Sequence, residues 1–151
     1  MRIRVLATVL AAGAALVASG VITGATAEAK GRPCGDAVST QGVGTAGTTW
    51  TLKSMYDDNG PGLVAGEEFQ IETHEAGQHW TVVLSDNGVP FFTNNDDVSV
   101  ASGINETHPN HVRHGTTNVM SAHAVRHETG EVIDGSVSLP VAPAQCAPNS
   151  P

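Results

Sequence analysis

Polar and apolar residues alternate in short runs along most of this chain, and clusters of Gly, Asn, Asp and Pro separate the runs. Alternation with a period of two places successive side chains on opposite faces of an extended strand, so one face can be buried while the other meets water. Thr48 to Met55 is the first such run, with Trp50 and Leu52 on one face. Glu68 to His74 sets Phe69, Ile71 and Thr73 against Gln70, Glu72 and His74. His79 to Ser85 sends Trp80, Val82 and Leu84 inward and His79, Thr81 and Val83 outward. Asp86-Asn-Gly88 carries tight-turn chemistry, and Val89 to Thr93 follows as a strand whose Pro90 suits an edge. Val119 to Arg126 points Met120, Ala122 and Ala124 inward, Glu128-Thr-Gly130 turns the chain, and Val132 to Leu139 buries Val137 and Leu139. No window holds the i, i+3, i+4, i+7 spacing of an amphipathic helix for three turns.

Between these runs, Asp57-Asp-Asn-Gly-Pro-Gly62 and Asn94-Asn-Asp-Asp97 read as polar loops. Val98 to Ala101 is a short strand at most, and Gly103 to His114, which contains Pro109, reads as irregular. Six or seven short strands over roughly 100 residues predict an antiparallel all-β domain. The expected organisation is a leader at 1–29, an extension carrying Cys34 at 30–44, the β domain at 45–140, and a Pro/Ala-rich tail carrying Cys146 at 141–151.

Three stretches carry a more specific likeness: Phe69-x-Ile71, Gln78-His-Trp80-x-Val82-x-Leu84, and the last hairpin, Ala122-x-Ala124 through Thr129-Gly-Glu131 to Gly135-x-Val137-x-Leu139. With Trp80 opening a strand soon after a loop, the layout resembles the small secreted immunoglobulin-like domains common in actinobacteria. The resemblance covers about residues 45–140 and implies an antiparallel immunoglobulin-like β-sandwich of about seven strands. Two departures stand beside it. The cysteines are terminal rather than placed to bridge the two sheets, and the last third has no tyrosine to form a corner. The likeness is architectural, and such a fold is compatible with many functions.

The leader changes the picture from fold to address. Met1-Arg-Ile-Arg4 is basic, Val5 to Val21 is apolar but interrupted by Gly13, Ser19 and Gly20, and Ala25-Thr-Ala27 and Ala27-Glu-Ala29 offer small residues for cleavage. That pattern predicts a signal peptide and a secreted chain without a membrane anchor in its mature form. About 122 residues then remain, one ordinary domain. Losing Arg2, Arg4 and Glu28 moves the net charge from −8 to about −9. An acidic surface repels phosphate backbones and anionic lipid, which argues against nucleic acid and membrane partners. Outside the cytoplasm, Cys34 and Cys146 are expected to pair. The bridge would close a loop of about 112 residues, an entropic gain on the order of 4–5 kcal/mol.

Candidate chemistry is sparse. No nucleophile elbow, phosphate loop or His-Glu-x-x-His is present. The neighbours Glu67 and Glu68 point to opposite faces in an extended chain and make no acid/base couple. The seven histidines stand out. His108, His111 and His114 form His-x-x-His-x-x-His, with His123 and His127 following. Imidazoles bind Zn²⁺ and Cu²⁺, and His108, His111, His114 and His123 are the candidate ligands. A helical turn opened by Pro109 would bring the first three together, whereas in extended chain three residues span about 10 Å. The same histidines could instead be solvated, or could carry the charge from −9 to about −2 as pH falls through ~6.5. The acidic loops at 57–60 and 94–97 offer oxygens of the kind Ca²⁺ takes, although turns favour the same residues. Phe91-Phe92, if extended, must send one ring outward, and this pair is the candidate protein contact.

These observations order three functional classes. A secreted, non-catalytic binding or structural module, needing no cofactor and meeting an extracellular protein or surface ligand, stands first. A Zn/Cu-binding protein built on the histidine segment is second. A small secreted hydrolase, with no residues to nominate, is third.

Overall fold

The computed structural model describes residues 32–58 and 62–146. The expected leader at 1–29 with residues 30–31, the centre of the expected acidic loop at 59–61 and residues 147–151 lie outside the described residues. Nine strands follow in order: β1 (Arg32–Pro33), β2 (Val38–Val43), β3 (Thr49–Asp58), β4 (Leu63–Glu72), β5 (His79–Asp86), β6 (Val89–Val98), β7 (Ile104–His111), β8 (Asn118–Arg126) and β9 (Val132–Leu139). No α-helix occurs among the described residues; a single turn of 3-10 helix spans Ala144–Cys146.

The strands form two antiparallel sheets. In one, β3 pairs with β4 and β4 with β7, while β1 and β2 both lie along the other edge of β3. The second runs β6-β5-β8-β9. The chain crosses between sheets after β4, after β6 and again after β7, the lacing of an immunoglobulin-like sandwich. Alternation explains the faces. Trp50, Leu52, Phe69 and Ile71 meet Trp80, Val82, Leu84, Met120, Ala122, Ala124 and Leu139 in one buried core. At the β5–β6 hairpin, Asn87 and Gly88 both take positive φ, 50° and 79°, as a two-residue turn twisted to match its strands requires.

The two long sides of the sandwich differ. On the β2/β9 side, the Trp50 ring lies over Gly42 and Gly135; a Cβ at either would come within 2.6 Å of ring carbons. Beside it, Glu131 accepts hydrogen bonds from the Ala46 amide (3.2 Å), the Thr48 amide (2.9 Å) and the Thr48 hydroxyl (2.8 Å). The Thr45 amide adds a bond of 3.0 Å to the Val132 carbonyl. The β2–β3 loop is thus stitched onto β9. Cys34 and Cys146 are bonded, with Cα atoms 5.4 Å apart, which fixes the C-terminal segment to the start of the fold as the cysteine placement predicts.

Three boundaries need correction. The extension at 30–44 contains β2, a full sheet strand in register with β3 from Val38↔Ser54 to Val43↔Thr49. Asn94 to Asp97 is not a loop but part of β6, and most of Gly103 to His114 is not irregular but β7. The second half of β6 and β7 were hidden because their inward positions there, Asn94 and Asp97 on β6 and Glu106, His108 and Asn110 on β7, are polar, so no apolar alternation marks them. Past β6, Val100 makes only an isolated bridge to Gly103.

Candidate functional site, the polar seam between β6 and β7

β6 and β7 are edge strands of opposite sheets, each paired on one side only. Each carries a proline, Pro90 and Pro109, which removes a donor from the free edge and discourages pairing with another chain. Over much of their length these two turn polar residues inward, where the other strands bury mostly apolar ones. On β7 the half-buried positions are Glu106, His108 and Asn110.

β6 reaches the same space through two breaks in register. Trp80 opposes Asp97 and Val82 opposes Asn94, so two residues on β6 answer Thr81 alone. The extra residue restores both Asn94 and Asp97 to the inner side, while Asp96 turns outward to His79. The second break lies between Leu84↔Phe92 and Ser85↔Pro90, which leaves Phe91 as the extra residue. Phe91 and Phe92 consequently both pack against the core. The expectation that one ring must face solvent is therefore corrected: a bulge suspends the period-two rule that required it.

The groups along the seam touch one another. The Asn94 amide donates to Glu106 Oε1 at 3.3 Å, and Glu106 Oε2 lies 2.7 Å from His108 Nε2. The His108 ring stacks on Phe92, with centroids 3.5 Å apart and planes 19° from parallel. Burial, then the hydrogen bond and charge of Glu106, push Asp97 up to about 6. Further along, Asn110 Nδ2 donates to Asp86 Oδ2 at 3.3 Å. Burial raises Asp86 as well, against the charge of Arg113 and the Asn110 bond.

Glu67 lies in the same inner row, paired with Ser54 on one side and His108 on the other. Its side chain has no solvent exposure, and among the described residues neither carboxylate oxygen has a hydrogen-bond partner. Burial, helped by the Asp86 charge, pushes it up to about 8, so at neutral pH it keeps its proton. Adjacency to Glu68 hid this group: the two do point to opposite faces, but the buried one has its charged neighbour, Asp86, on another strand. With no exposed atom, Glu67 cannot act on a substrate in this conformation.

The seam opens at one end into a cleft of ≈ 560 Å³ lined by Asp86, Asn87, Val89, Phe91, Asn110, His111, Arg113, Thr116 and Thr117. Hydrogen bonds hold the Asp86–Asn87 part of its wall. Asn87 donates to Asp86 Oδ1 at 2.9 Å and to Asn118 Oδ1 at 3.3 Å, and accepts from the Val119 amide at 3.0 Å. Asn118 is fully buried and donates to the Tyr56 hydroxyl at 3.1 Å and the Arg113 carbonyl at 3.4 Å. A smaller cleft of ≈ 300 Å³ lies at the Asp97 end, between Val98 and Ile104.

The four candidate metal ligands are not brought together. On β7 the odd spacing of His108 and His111 sends them to opposite faces, and only His108 enters the seam. The helical turn that would have joined them is replaced by strand. His114 is exposed in the β7–β8 loop, and His123 is exposed on the outer face of β8, 2.7 Å from Asp134. Among the described residues, no three His, Cys, Asp or Glu side chains are placed to share a metal ion. The Ca²⁺ reading of 94–97 loses its loop, because Asn94 and Asp97 face the seam and Asp96 pairs with His79. On the outer face, that Asp96 bond raises the His79 pKa.

No family model, curated protein or solved structure matches this chain.

Proposed function

We propose that this chain is an exported, non-catalytic immunoglobulin-like binding module whose ligand is an extracellular protein or surface component. The observation that supports this reading most is the cleft at the Asp86 end of the seam, with polar groups held in place before any ligand arrives. Groups fixed in advance lose little conformational freedom on binding, which is how a small site gains affinity. The basic, apolar and Ala-x-Ala order of the first 29 residues supports export.

Co-sedimentation of the oxidised mature protein with cell envelopes of the source organism tests the reading. Wild type should be retained, and an Asp86→Ala/Asn110→Ala variant of equal Tm should be released. Equal retention of both would overturn the assignment of the cleft. Turnover of a chromogenic ester, glycoside or phosphate, abolished by Asp86→Asn, would overturn the non-catalytic reading.

A further inference from the structure

We infer, building on the binding-module reading, that the cleft beside Asp86 takes a neutral sugar ring of a glycan chain. Four features of the cleft lead there. The first is Phe91. The β6 bulge takes this ring out of strand alternation and sets it half-buried in the cleft wall. One face of a pyranose is a patch of C–H bonds, which suits the negative face of an aromatic ring.

The second feature is the mixture of polar groups. Asp86 offers carboxylate lone pairs, Asn110 a carbonyl oxygen, Arg113 guanidinium donors and Thr116 a hydroxyl oxygen that can accept while its hydrogen goes to the Arg113 carbonyl. Neighbouring sugar hydroxyls present donors and acceptors side by side, and planar groups such as these can meet two at once. The third is rigidity. Each Asp86 oxygen already accepts one amide hydrogen bond, from Asn87 and from Asn110, and so holds a fixed orientation with lone pairs to spare. The fourth is charge. Asp86 sets one negative group against the positive Arg113, and His111, the third ionisable side chain on the wall, leaves no strong excess of either sign, which favours a neutral ligand over a strongly ionic one. A volume of ≈ 560 Å³ lies within the range of small-molecule sites, and the cleft opens onto the surface so that a longer chain can pass.

The test is amide chemical-shift mapping of the nitrogen-15-labelled, oxidised mature protein. The probes are cello-, xylo-, manno-, malto- and chito-oligosaccharides, with glycine betaine and a mixed dipeptide pool as zwitterionic controls. At least one oligosaccharide should shift the amides of residues 86–89, 91 and 110–117 and leave those around Trp50 unmoved. Phe91→Leu, which keeps an apolar side chain at the bulge, should weaken that binding about tenfold at little cost in Tm, and Asp86→Ala should weaken it at least as much. No shift with any oligosaccharide overturns the sugar assignment. Cleft shifts with zwitterions alone overturn it too, yet leave the binding-module reading standing. Silence from every probe, together with envelope retention that ignores Asp86→Ala/Asn110→Ala, overturns both.

Discussion

Glu131 and Glu67 are buried to nearly the same degree on opposite sides of one core, and their surroundings could hardly differ more. Glu131 accepts two amides and a hydroxyl and so joins the β2–β3 loop to β9. Glu67 accepts nothing from the described residues, lies near the carboxylate of Asp86, and is pushed up to about 8. A buried polar group strengthens a fold when its partners are buried with it, and weakens the fold when they are absent. The β2/β9 side is therefore built for closure. The β6/β7 side holds polar groups that the fold alone does not call for, and there the cleft opens. Sites whose local rules conflict with stability are where function is to be sought.

The sharpest way to break this comparison is to truncate the satisfied glutamate. Glu131→Ala leaves two amides and a hydroxyl without their acceptor and should cost about 2–4 kcal/mol in chemical denaturation. A loss below about 0.5 kcal/mol would mean that water replaces the carboxylate and that the closed side is not held by it. Packing on the same side is the next test. Gly135→Ala puts a Cβ about 2.6 Å from the Trp50 ring and should cost about 1–3 kcal/mol. Trp50→Leu costs stability by itself, but in its background the Gly135→Ala penalty should largely disappear, because the two residues act on one contact. A penalty that persists would place the strain in the backbone of β9 rather than at the ring.

Much of this architecture was legible as alternation. β5, β8 and β9 bury the residues that a period of two selects, and Asn87-Gly88 marks its hairpin because few other pairs tolerate that backbone. The terminal cysteines were legible as a staple because they are the only two in the sequence and stand near the two ends of the β domain. The seam was not legible. Two bulges in β6 shift which residues face inward, and a bulge leaves no mark in an alternation count. β7 buries Glu106, His108 and Asn110 in place of apolar residues, so a regular strand resembled a loop. Glu67 became notable only when the opposite sheet set Asp86 near it, a relation between residues 19 positions apart that no local pattern encodes. The histidine triplet misled in the reverse direction. Its spacing suits a helix, whereas β4 pairing makes His108 and His111 part of a strand and leaves His114 in the loop beyond.

The smallest of these effects has the opposite sign, and this makes it the most discriminating. An acid whose pKa is higher in the folded chain keeps a proton that the unfolded chain releases, so folding is penalised at any pH between the two values. For Glu67 the window runs from 4.5 to about 8: no penalty exists below it, and the full penalty is present above it. Asp97 acts in the same direction from 3.8 to about 6. Wild-type stability should therefore fall as pH rises through these windows, by at most about 1.4 kcal/mol per unit for Glu67 and by clearly less for Asp97, which solvent screens. Glu67→Met keeps the bulk and removes the ionisable group. It should stabilise the protein by about 1–2 kcal/mol near pH 8, with the gain shrinking toward pH 5. Denaturation of both proteins across that range gives the two slopes. A variant less stable than wild type at every pH would mean that Glu67 has a partner after all, and the contrast with Glu131 would fail. A gain that grows with pH would show that the seam carries a carboxyl group at the expense of the fold.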